Sequence, residues 1–183
     1  MSWLDTDPAP GLLAGVVLAA LLHGVAILPA QTVTETDAVH LVVSVSERSL
    51  TVHRGDAVLH TFSVGVGTGS RLGSRAGASW SFDTPIGAFE VGRKKKDPLW
   101  YAPDWHYVER GLPIPPAYSD ERYQRGVLGD YALYLSDEIA IHGTDDARSV
   151  GRASSHGCLR MHNADIAVVY PLVEIGTRVA IVP

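Results

Sequence analysis

The sequence predicts a mainly β domain, a compact β-sandwich or β-meander with one helix in its C-terminal half and long loops. From residue 39 onwards the apolar residues follow a period of two, in β-branched runs that short polar turns separate. One stretch near the C-terminus, residues 163–173, instead spaces its apolar residues as a helix does. The chain also contains 11 prolines and 18 glycines, which favour loops over further long elements.

The length of 183 residues suits one domain of ordinary size and a short extra segment. We assign the domain to residues 39–183. The formal net charge is -5, but four of the 20 acidic residues lie in the first 38 positions, so the domain holds 16 acidic residues and all 15 basic ones. A nearly neutral domain argues against nucleic acid as a partner.

Residues 1–30 are predicted to be a signal peptide or a membrane anchor, and residues 31–38 a polar linker. The segment 11–28 has no charged residue, is longer than a usual signal core and is just long enough to cross a bilayer. We therefore expect membrane contact through this segment alone. Against the assignment, two aspartates rather than basic residues precede the segment, and a buried core helix is the alternative.

The first half of the domain is predicted to be a β-meander followed by a loop and a turn. Turn-forming residues join three β-branched runs, which span residues 41–46, 50–53 and 58–66. A stretch rich in glycine and serine, residues 68–79, is expected to be a mobile loop. The turn Thr84–Gly87 then leads into a short strand at residues 88–91.

Two unusual segments follow. The basic run 93–96 is interpreted as a solvated loop and is given no role. Residues 98–116 combine five prolines with four Trp and Tyr residues, which excludes a central strand or a long helix. Such an excursion is either a lid or wall of a binding site or a satellite hydrophobic cluster beneath a loop, and the sequence leaves both interpretations open.

Two short strands, residues 131–135 and 138–141, are predicted to place His142 at the end of the second strand.

A helix is predicted to begin with Asn163 as its N-cap. Its apolar face would consist of Ile166, Val169, Tyr170 and Val173. Pro171 should kink or shorten this helix, and residues 178–182 should form a last strand.

The stretch from Ile141 to Asn163 contains Cys158, the only cysteine, together with three of the eight histidines. A thiol attacks as the thiolate, and a nearby imidazole commonly lowers its pKa and accepts its proton. His142 can meet Cys158 only if the intervening loop folds back, and we then expect the thiol to be partly ionised near neutral pH. Gly157 would let the backbone approach a substrate closely, with successive N–H groups as an oxyanion hole.

A zinc site is the competing use of the same side chains, because zinc accepts histidine and cysteine ligands. The four candidates are His142, His156, Cys158 and His162. Residues 156 and 158 would point in opposite directions on an extended segment and only one soft ligand is present, which argues against zinc. A purely structural cysteine is a further alternative, since a free cysteine is often a small buried apolar residue.

The order of these residues resembles the signature of the L,D-transpeptidase catalytic domain, or YkuD domain, in which a histidine is followed by Ser/Thr-His-Gly-Cys and then Arg or Asn. The matching segments are His142-Gly143-Thr144 and Ser155-His156-Gly157-Cys158-Leu159-Arg160. Two more segments, Thr84–Phe89 and Gly176–Val179, are similar to other parts of the family's sequence pattern. The resemblance covers about residues 39–183, although the excursion at residues 98–118 does not align.

This resemblance implies an enzyme that acts on peptidoglycan stem peptides through a thioester on Cys158, with His142 as the base and without a metal or organic cofactor. Oxyanion and substrate-binding contacts are implied for a further set of residues, Gly143, Thr144, Ser155, His156, Gly157 and Arg160. The acceptor would be an amine of another stem peptide or of a protein. Water as acceptor would make an L,D-carboxypeptidase, and a non-catalytic wall-binding module would keep the fold alone. The protein would be exported to the periplasm or cell wall, either free or anchored to the cytoplasmic membrane.

Overall fold

The computed structural model describes residues 37–183, and the predicted signal or anchor segment lies outside them. Within these residues no helix combines the length and the apolar character that crossing a membrane requires. The described part of the chain has the following strands and α-helices: β1 (Val39–Ser44), β2 (Ser49–Arg54), β3 (Ala57–Ser63), β4 (Val66–Gly67), β5 (Arg71–Gly73), β6 (Ser79–Ser81), β7 (Gly87–Glu90), β8 (Arg93–Lys96), β9 (Trp100–Tyr101), α1 (Asp104–Glu109), β10 (Tyr123–Gln124), β11 (Tyr131–Tyr134), β12 (Ala140–His142), β13 (Ala153–Ser155), β14 (Leu159–Arg160), α2 (Asn163–Leu172) and β15 (Arg178–Val182).

The larger sheet has five strands in the order β3-β2-β1-β15-β7. The antiparallel run from β1 to β3 confirms the predicted meander. Its alternating sequence explains the burial, because Leu41, Val43, Leu50 and Val52 are fully buried while their strand neighbours are partly exposed. Strand β15 pairs with β1 in parallel, so the last strand lies beside the first.

The smaller sheet has four strands in the order β14-β12-β11-β8. Since β8 comprises residues 93–96, the interpretation of this basic run as a loop is wrong. The run can be a strand because it lies at the sheet edge, where basic side chains remain in solvent while the backbone pairs with β11. Lys94 turns towards α2, where its ammonium group contacts the ring of Tyr170 and donates to the carbonyl of Val173.

One hydrophobic core joins both sheets and α2. Its fully buried members include Leu41, Val43, Leu50, Val52, Leu133, Ile141, Leu159, Met161, Ile166, Val169 and Val173. Burial of each such side chain stabilises the fold by about 1.5–3 kcal/mol. Because Ile141 and Leu159 belong to this core, the backbone on both sides of the candidate site is held in place.

Helix α2 buries Ile166 and Val169, as predicted. Its cap differs from the prediction, because His162 is the N-cap and Asn163 is the first helical residue. The side-chain oxygen of Asn163 instead accepts a 3.3 Å hydrogen bond from the amide of Asp130, which fastens the loop before β11 to the helix. The helix ends at Leu172, one residue after Pro171, in agreement with the predicted shortening.

Two predicted loops contain regular structure. The glycine- and serine-rich segment 68–79 supplies β5 and the first residue of β6, which pair as a hairpin. Residues 98–124, which we call the arm, contain α1 and the antiparallel pair of β9 with β10. The prediction of a single helix is therefore incomplete, although α1 has only six residues, in agreement with the many prolines around it.

Candidate active site

The candidate base ends strand β12, and the candidate nucleophile comes directly before the neighbouring strand β14. Strands β12 and β14 run parallel, with Ile141 opposite Leu159 and His142 opposite Arg160. Side chains alternate between the two faces of a sheet, so Ile141 and Leu159 enter the core while His142 and Arg160 share the other face. Cys158, two residues before Arg160, falls on the same face as His142. Two residues that are 16 positions apart in the sequence thus point to the same side of the sheet from neighbouring segments.

The imidazole of His142 is buried, and the backbone fixes its tautomer. Its Nδ1 lies 2.5 Å from the carbonyl oxygen of Gly143, which can only accept, so Nδ1 carries the proton and Nε2 presents a lone pair. Burial lowers the pKa of His142 to about 4, opposed by the hydrogen bond to Gly143 and assisted by the charge of Arg160. His142 is therefore neutral at physiological pH, as a general base must be.

Cys158 is half-buried, and its Sγ lies 3.5 Å from the carbonyl oxygen of Glu138. Burial raises the pKa of the thiol, while a hydrogen bond from the backbone of Ala140 and the positive charge of Arg160 lower it by smaller amounts. The expectation of a partly ionised thiol is therefore wrong for the resting site, in which the thiol and the imidazole are both neutral. Such a pair transfers its proton during the attack and not before it.

Side-chain hydrogen bonds hold the turn that carries Cys158. The hydroxyl of Ser155 donates to the carbonyl of Cys158 at 2.6 Å and accepts from the amide of Gly157 at 3.1 Å. Gly157 has a φ of 120°, and a Cβ on it would lie 3.1 Å from the carbonyl oxygen of Asp83, so conformation and space both require glycine. The amide of Gly157, one of those expected to form an oxyanion hole, is engaged within the turn.

The arm contacts this turn through His156. The imidazole stacks on Trp105 of α1, with ring centroids 3.9 Å apart and planes inclined by 15°, and it meets Phe82 edge-on at 4.4 Å. Its Nε2 lies 3.1 Å from the carboxylate of Glu109 at the end of α1. The arm therefore contains an aromatic cluster, which agrees with the interpretation as a satellite hydrophobic cluster. The cluster also borders the turn that carries the nucleophile, which agrees with the interpretation as a wall of the site.

Gly143 and Thr144 shape the loop after β12. A Cβ on Gly143 would lie 2.1 Å from the side-chain oxygen of Asn163, so a larger residue would push that side chain away from the amide of Asp130. Thr144 is buried, and its hydroxyl accepts from the amide of Asp146 at 3.1 Å.

Arg160 is half-buried, and none of the ion pairs among residues 37–183 includes it. Its guanidinium can therefore receive a carboxylate from a ligand.

The four candidate zinc ligands are not assembled into one site. His156 is stacked in the aromatic cluster, and His162 is the exposed N-cap of α2. In the part of the chain that the structure describes, no group of three His, Cys, Asp or Glu side chains is placed to hold a metal ion.

Comparison with known proteins assigns the domain. The model of the YkuD family, the L,D-transpeptidase catalytic domain, matches residues 38–181. The chain belongs to this family. It is 39% identical over 104 residues to the Escherichia coli K12 protein named "Probable L,D-transpeptidase YbiS", an alignment that covers 53% of this chain and 32% of that protein. It is 32% identical over 149 residues to "Probable L,D-transpeptidase ErfK/SrfK" of the same strain, with 78% and 43% covered.

The fold of this L,D-transpeptidase domain also matches solved structures. One is L,D-transpeptidase 3 from Mycobacterium tuberculosis in complex with a faropenem-derived adduct, with a TM-score of 0.56 and 21% identity over 80% of this chain and 60% of that one. The mainly β fold expected from the sequence is thereby confirmed. This chain spans less than half the length of the two curated relatives above.

Sequence reasoning missed the residue that organises the arm of this L,D-transpeptidase domain. The side chain of Arg122 is almost fully buried, pairs with Asp104 at 2.8 Å and donates to three backbone carbonyls of the arm. A single arginine beyond a Pro-Pro pair gives no sequence signal for such a role. Thr84 did carry a signal, because it begins a segment that resembles the family. Its hydroxyl donates a hydrogen bond to the carbonyl of Gly157, and this contact could not be predicted without the fold.

Proposed function

We propose that the chain is an exported peptidoglycan L,D-transpeptidase in which Cys158 is the nucleophile and His142 the general base. The observation that carries the proposal is the parallel pairing of β12 with β14, which places Cys158, the residue before β14, on the same side of the sheet as His142, whose Nε2 is left with a lone pair. The names of the two curated relatives, both probable L,D-transpeptidases, support this class of reaction.

The first half of the reaction forms a thioester. As Sγ of Cys158 attacks the carbonyl that joins the L-centre of the third stem residue to D-alanine, Nε2 of His142 takes the thiol proton. Backbone N–H groups of the turn other than that of Gly157, which Ser155 already binds, stabilise the oxyanion. The hydrogen bond from the backbone of Ala140 and the charge of Arg160 stabilise the negative charge on sulfur as the proton leaves. The intermediate collapses when the C–N bond breaks, and His142 returns its proton to the departing amine of D-alanine.

The second half releases the acyl group. An amine of another stem peptide, or of a protein, attacks the thioester carbonyl and gives a proton to Nε2 of His142. The C–S bond then breaks, and the imidazolium reprotonates the sulfur of Cys158, which restores the resting pair. Attack by water through the same steps gives a carboxypeptidase, so the acceptor alone separates these two outcomes.

Arg160 is proposed to bind a carboxylate of the donor. Its charge is close enough to both catalytic side chains to affect the pKa of each, and no ion pair among residues 37–183 includes it. Ser155, Gly157, Gly143 and Thr144 are proposed to hold the turn and the loop in shape, and His156 to connect the turn to the arm.

Export is the part of the proposal that rests on the sequence. Peptidoglycan lies outside the cytoplasmic membrane, and residues 11–28 have the composition of a signal or anchor segment. Removal of residues 1–30 is expected to leave the protein in the cytoplasm, as cell fractionation would show.

The activity is tested by incubating the full-length protein with a purified disaccharide-tetrapeptide and identifying the products by mass spectrometry. A cross-linked dimer together with released D-alanine supports the transpeptidase. A disaccharide-tripeptide without dimer assigns the carboxypeptidase instead. Unchanged muropeptide with the parent protein, but binding to isolated cell walls, would overturn the enzymatic assignment in favour of a wall-binding module. Cys158→Ala is the matched control, because it removes the thiol and leaves the turn's backbone bonds intact.

A further inference from the structure

A row of side chains extends from Cys158 across the smaller sheet. Strand β11 places Tyr134 opposite Ala140, and β8 places Arg93 opposite Tyr134. Cys158 precedes β14 by one residue and is in register with Ala140. All four side chains therefore lie on the face directed away from α2. Because Ala140 contributes only a methyl group, no bulky side chain of the row separates the tyrosine from the thiol.

Tyr134 is held by Arg93. The guanidinium carbon lies 4.0 Å from the centroid of the tyrosine ring, a cation–π contact. Burial raises the pKa of the Tyr134 hydroxyl, with Arg93 acting against the shift and the charge of ionised Cys158 adding to it. The hydroxyl is thus a lasting hydrogen-bond donor, and it is near enough to Cys158 to sense the charge on sulfur.

The protein itself uses neither group for polar contacts. Among residues 37–183 no ion pair includes Arg93, and no hydrogen bond involves the hydroxyl of Tyr134. Arg93 is exposed and Tyr134 half-buried, so a ligand can reach both. A guanidinium and a phenol side by side offer N–H and O–H donors to the two oxygens of one carboxylate. An amide of the same shape accepts through one oxygen only and carries no charge.

We propose that Tyr134 and Arg93 form a carboxylate subsite for the donor stem peptide, beside the nucleophile and distinct from Arg160. The inference rests on the proposed function, because the ligand is a group of the acyl donor. One carboxylate oxygen accepts from the hydroxyl of Tyr134, and the other accepts from the guanidinium of Arg93. A donor tetrapeptide presents such a group at its C-terminus, and a diamino acid with a second carboxyl group presents another in its third residue.

The test uses synthetic donor tetrapeptides that differ only in one carboxylate, replaced by a carboxamide either at the C-terminus or on the third residue. Acylation of Cys158 in the full-length protein is followed by intact mass, and kcat/KM is compared between the parent, Tyr134→Phe and Arg93→Gln. The parent should lose about tenfold with one of the two amides, which identifies the carboxylate bound. Each variant should lose about five- to tenfold with the carboxylate donor and discriminate less than about twofold between acid and amide.

Matched controls come from the opposite face of the same strands. Tyr131→Phe changes a tyrosine of β11 that packs on Tyr170 of α2, and Lys96→Gln removes a charge of β8 opposite Tyr131. Both controls should keep the parent's preference for the carboxylate donor. Alkylation of Cys158 by iodoacetamide should be equal in the parent and in Tyr134→Phe, because the hydroxyl binds substrate and does not activate the thiol.

The outcomes separate this inference from the proposed function. A preference for the acid donor that survives in both variants would overturn the subsite alone, as would an alkylation rate that falls as far as acylation does. A parent protein whose thiol is alkylated but is acylated by no donor would overturn the proposed function and the subsite with it.

Discussion

The hydroxyl of Thr84 donates a 2.9 Å hydrogen bond to the carbonyl of Gly157, 73 residues away in the sequence. The same hydroxyl accepts a 2.8 Å bond from the amide of Gly67, at the end of β4. Thr84 is buried and thereby fixes the peptide that precedes the candidate nucleophile to a neighbouring strand. The conformation of the turn thus depends on one side chain from a distant segment.

Thr84→Val is expected to destabilise the fold and to slow acylation of Cys158. The substitution keeps the shape but leaves a buried carbonyl and an amide without partners, each at a cost of about 1–3 kcal/mol. We expect the free energy of unfolding in urea to fall by about 2–4 kcal/mol and the acylation rate to fall by about tenfold or more. Thr84→Ser keeps the hydroxyl and should lose about half of this stability or less. Equal stability of Thr84→Val and the parent would contradict the role of the two bonds.

Trp105→Ala is expected to loosen the arm from the nucleophile's turn. The substitution removes the ring on which His156 stacks, and stacked aromatic pairs contribute about 0.5–1.5 kcal/mol beyond their buried area. Acylation of Cys158 by a stem peptide should fall about fivefold, while alkylation by a small reagent should change little. Glu109→Gln is the milder control, since it changes only the partly exposed contact between the carboxylate and Nε2 of His156, and such surface contacts contribute about 0–1 kcal/mol. A larger effect from Glu109→Gln than from Trp105→Ala would show that charge, and not stacking, holds the arm.

The depressed pKa of His142 predicts a loss of stability in acid. The folded protein binds a proton at His142 only near pH 4, whereas the unfolded chain binds one near the ordinary value of 6.5. The stabilising contribution is complete above pH 6.5 and is lost as the pH falls towards 4, by up to about 3 kcal/mol. Urea unfolding between pH 7 and 4 should therefore show a steeper decline for the parent than for His142→Gln. Parallel curves for the two proteins would mean that His142 titrates normally in the folded state.

Strand periodicity made the start of the larger sheet predictable, because β1 and β2 bury every second residue over part of their length. The same criterion failed for Arg93–Lys96, where four charged residues hide a strand. Nothing local distinguishes such a run from a solvated loop, since its pairing partner β11 begins 35 residues later. An edge position tolerates the charges, and only the assembled sheet reveals that position.

The site was predictable in its identities but not in its electrostatics. The proximity of His142 and Cys158 could be hypothesised from residue types, and the parallel pair β12 and β14 supplies the reason for it. The protonation state of the thiol could not be foreseen, because burial opposes the effect of neighbouring charges and burial is a property of the fold. The partners of His156 likewise could not be foreseen, because they depend on where α1 packs. The arm that contains α1 does not align with the sequence pattern of the family.

Arg160→Lys is expected to lower kcat/KM for the donor by about tenfold, since a lysine cannot reproduce a paired guanidinium–carboxylate contact. Arg160→Ala should have the larger effect, because it also removes a charge that lowers the pKa of Cys158. The pH dependence of iodoacetamide alkylation would report this second effect as a shift of the thiol's titration to higher pH. Two variants with the parent's kinetics and titration would show that Arg160 has no part in catalysis.

Cys158→Ala is expected to abolish turnover while the protein stays folded, because the thiol is the only atom group that the proposed mechanism bonds to the substrate. Cys158→Ser should be nearly inactive, since a hydroxyl is far less acidic than a thiol and the site offers one neutral imidazole to deprotonate it. His142→Ala should slow acylation by about 100-fold or more, the usual effect of losing a general base.

A carbapenem should acylate Cys158 and raise the intact mass by the mass of the drug, in the parent but not in Cys158→Ala. Because the proposed attack starts from a neutral thiol and a neutral imidazole, the acylation rate should change little between pH 6 and pH 8, and a rate that rises in proportion to hydroxide over this range would show that the thiol must ionise before attack.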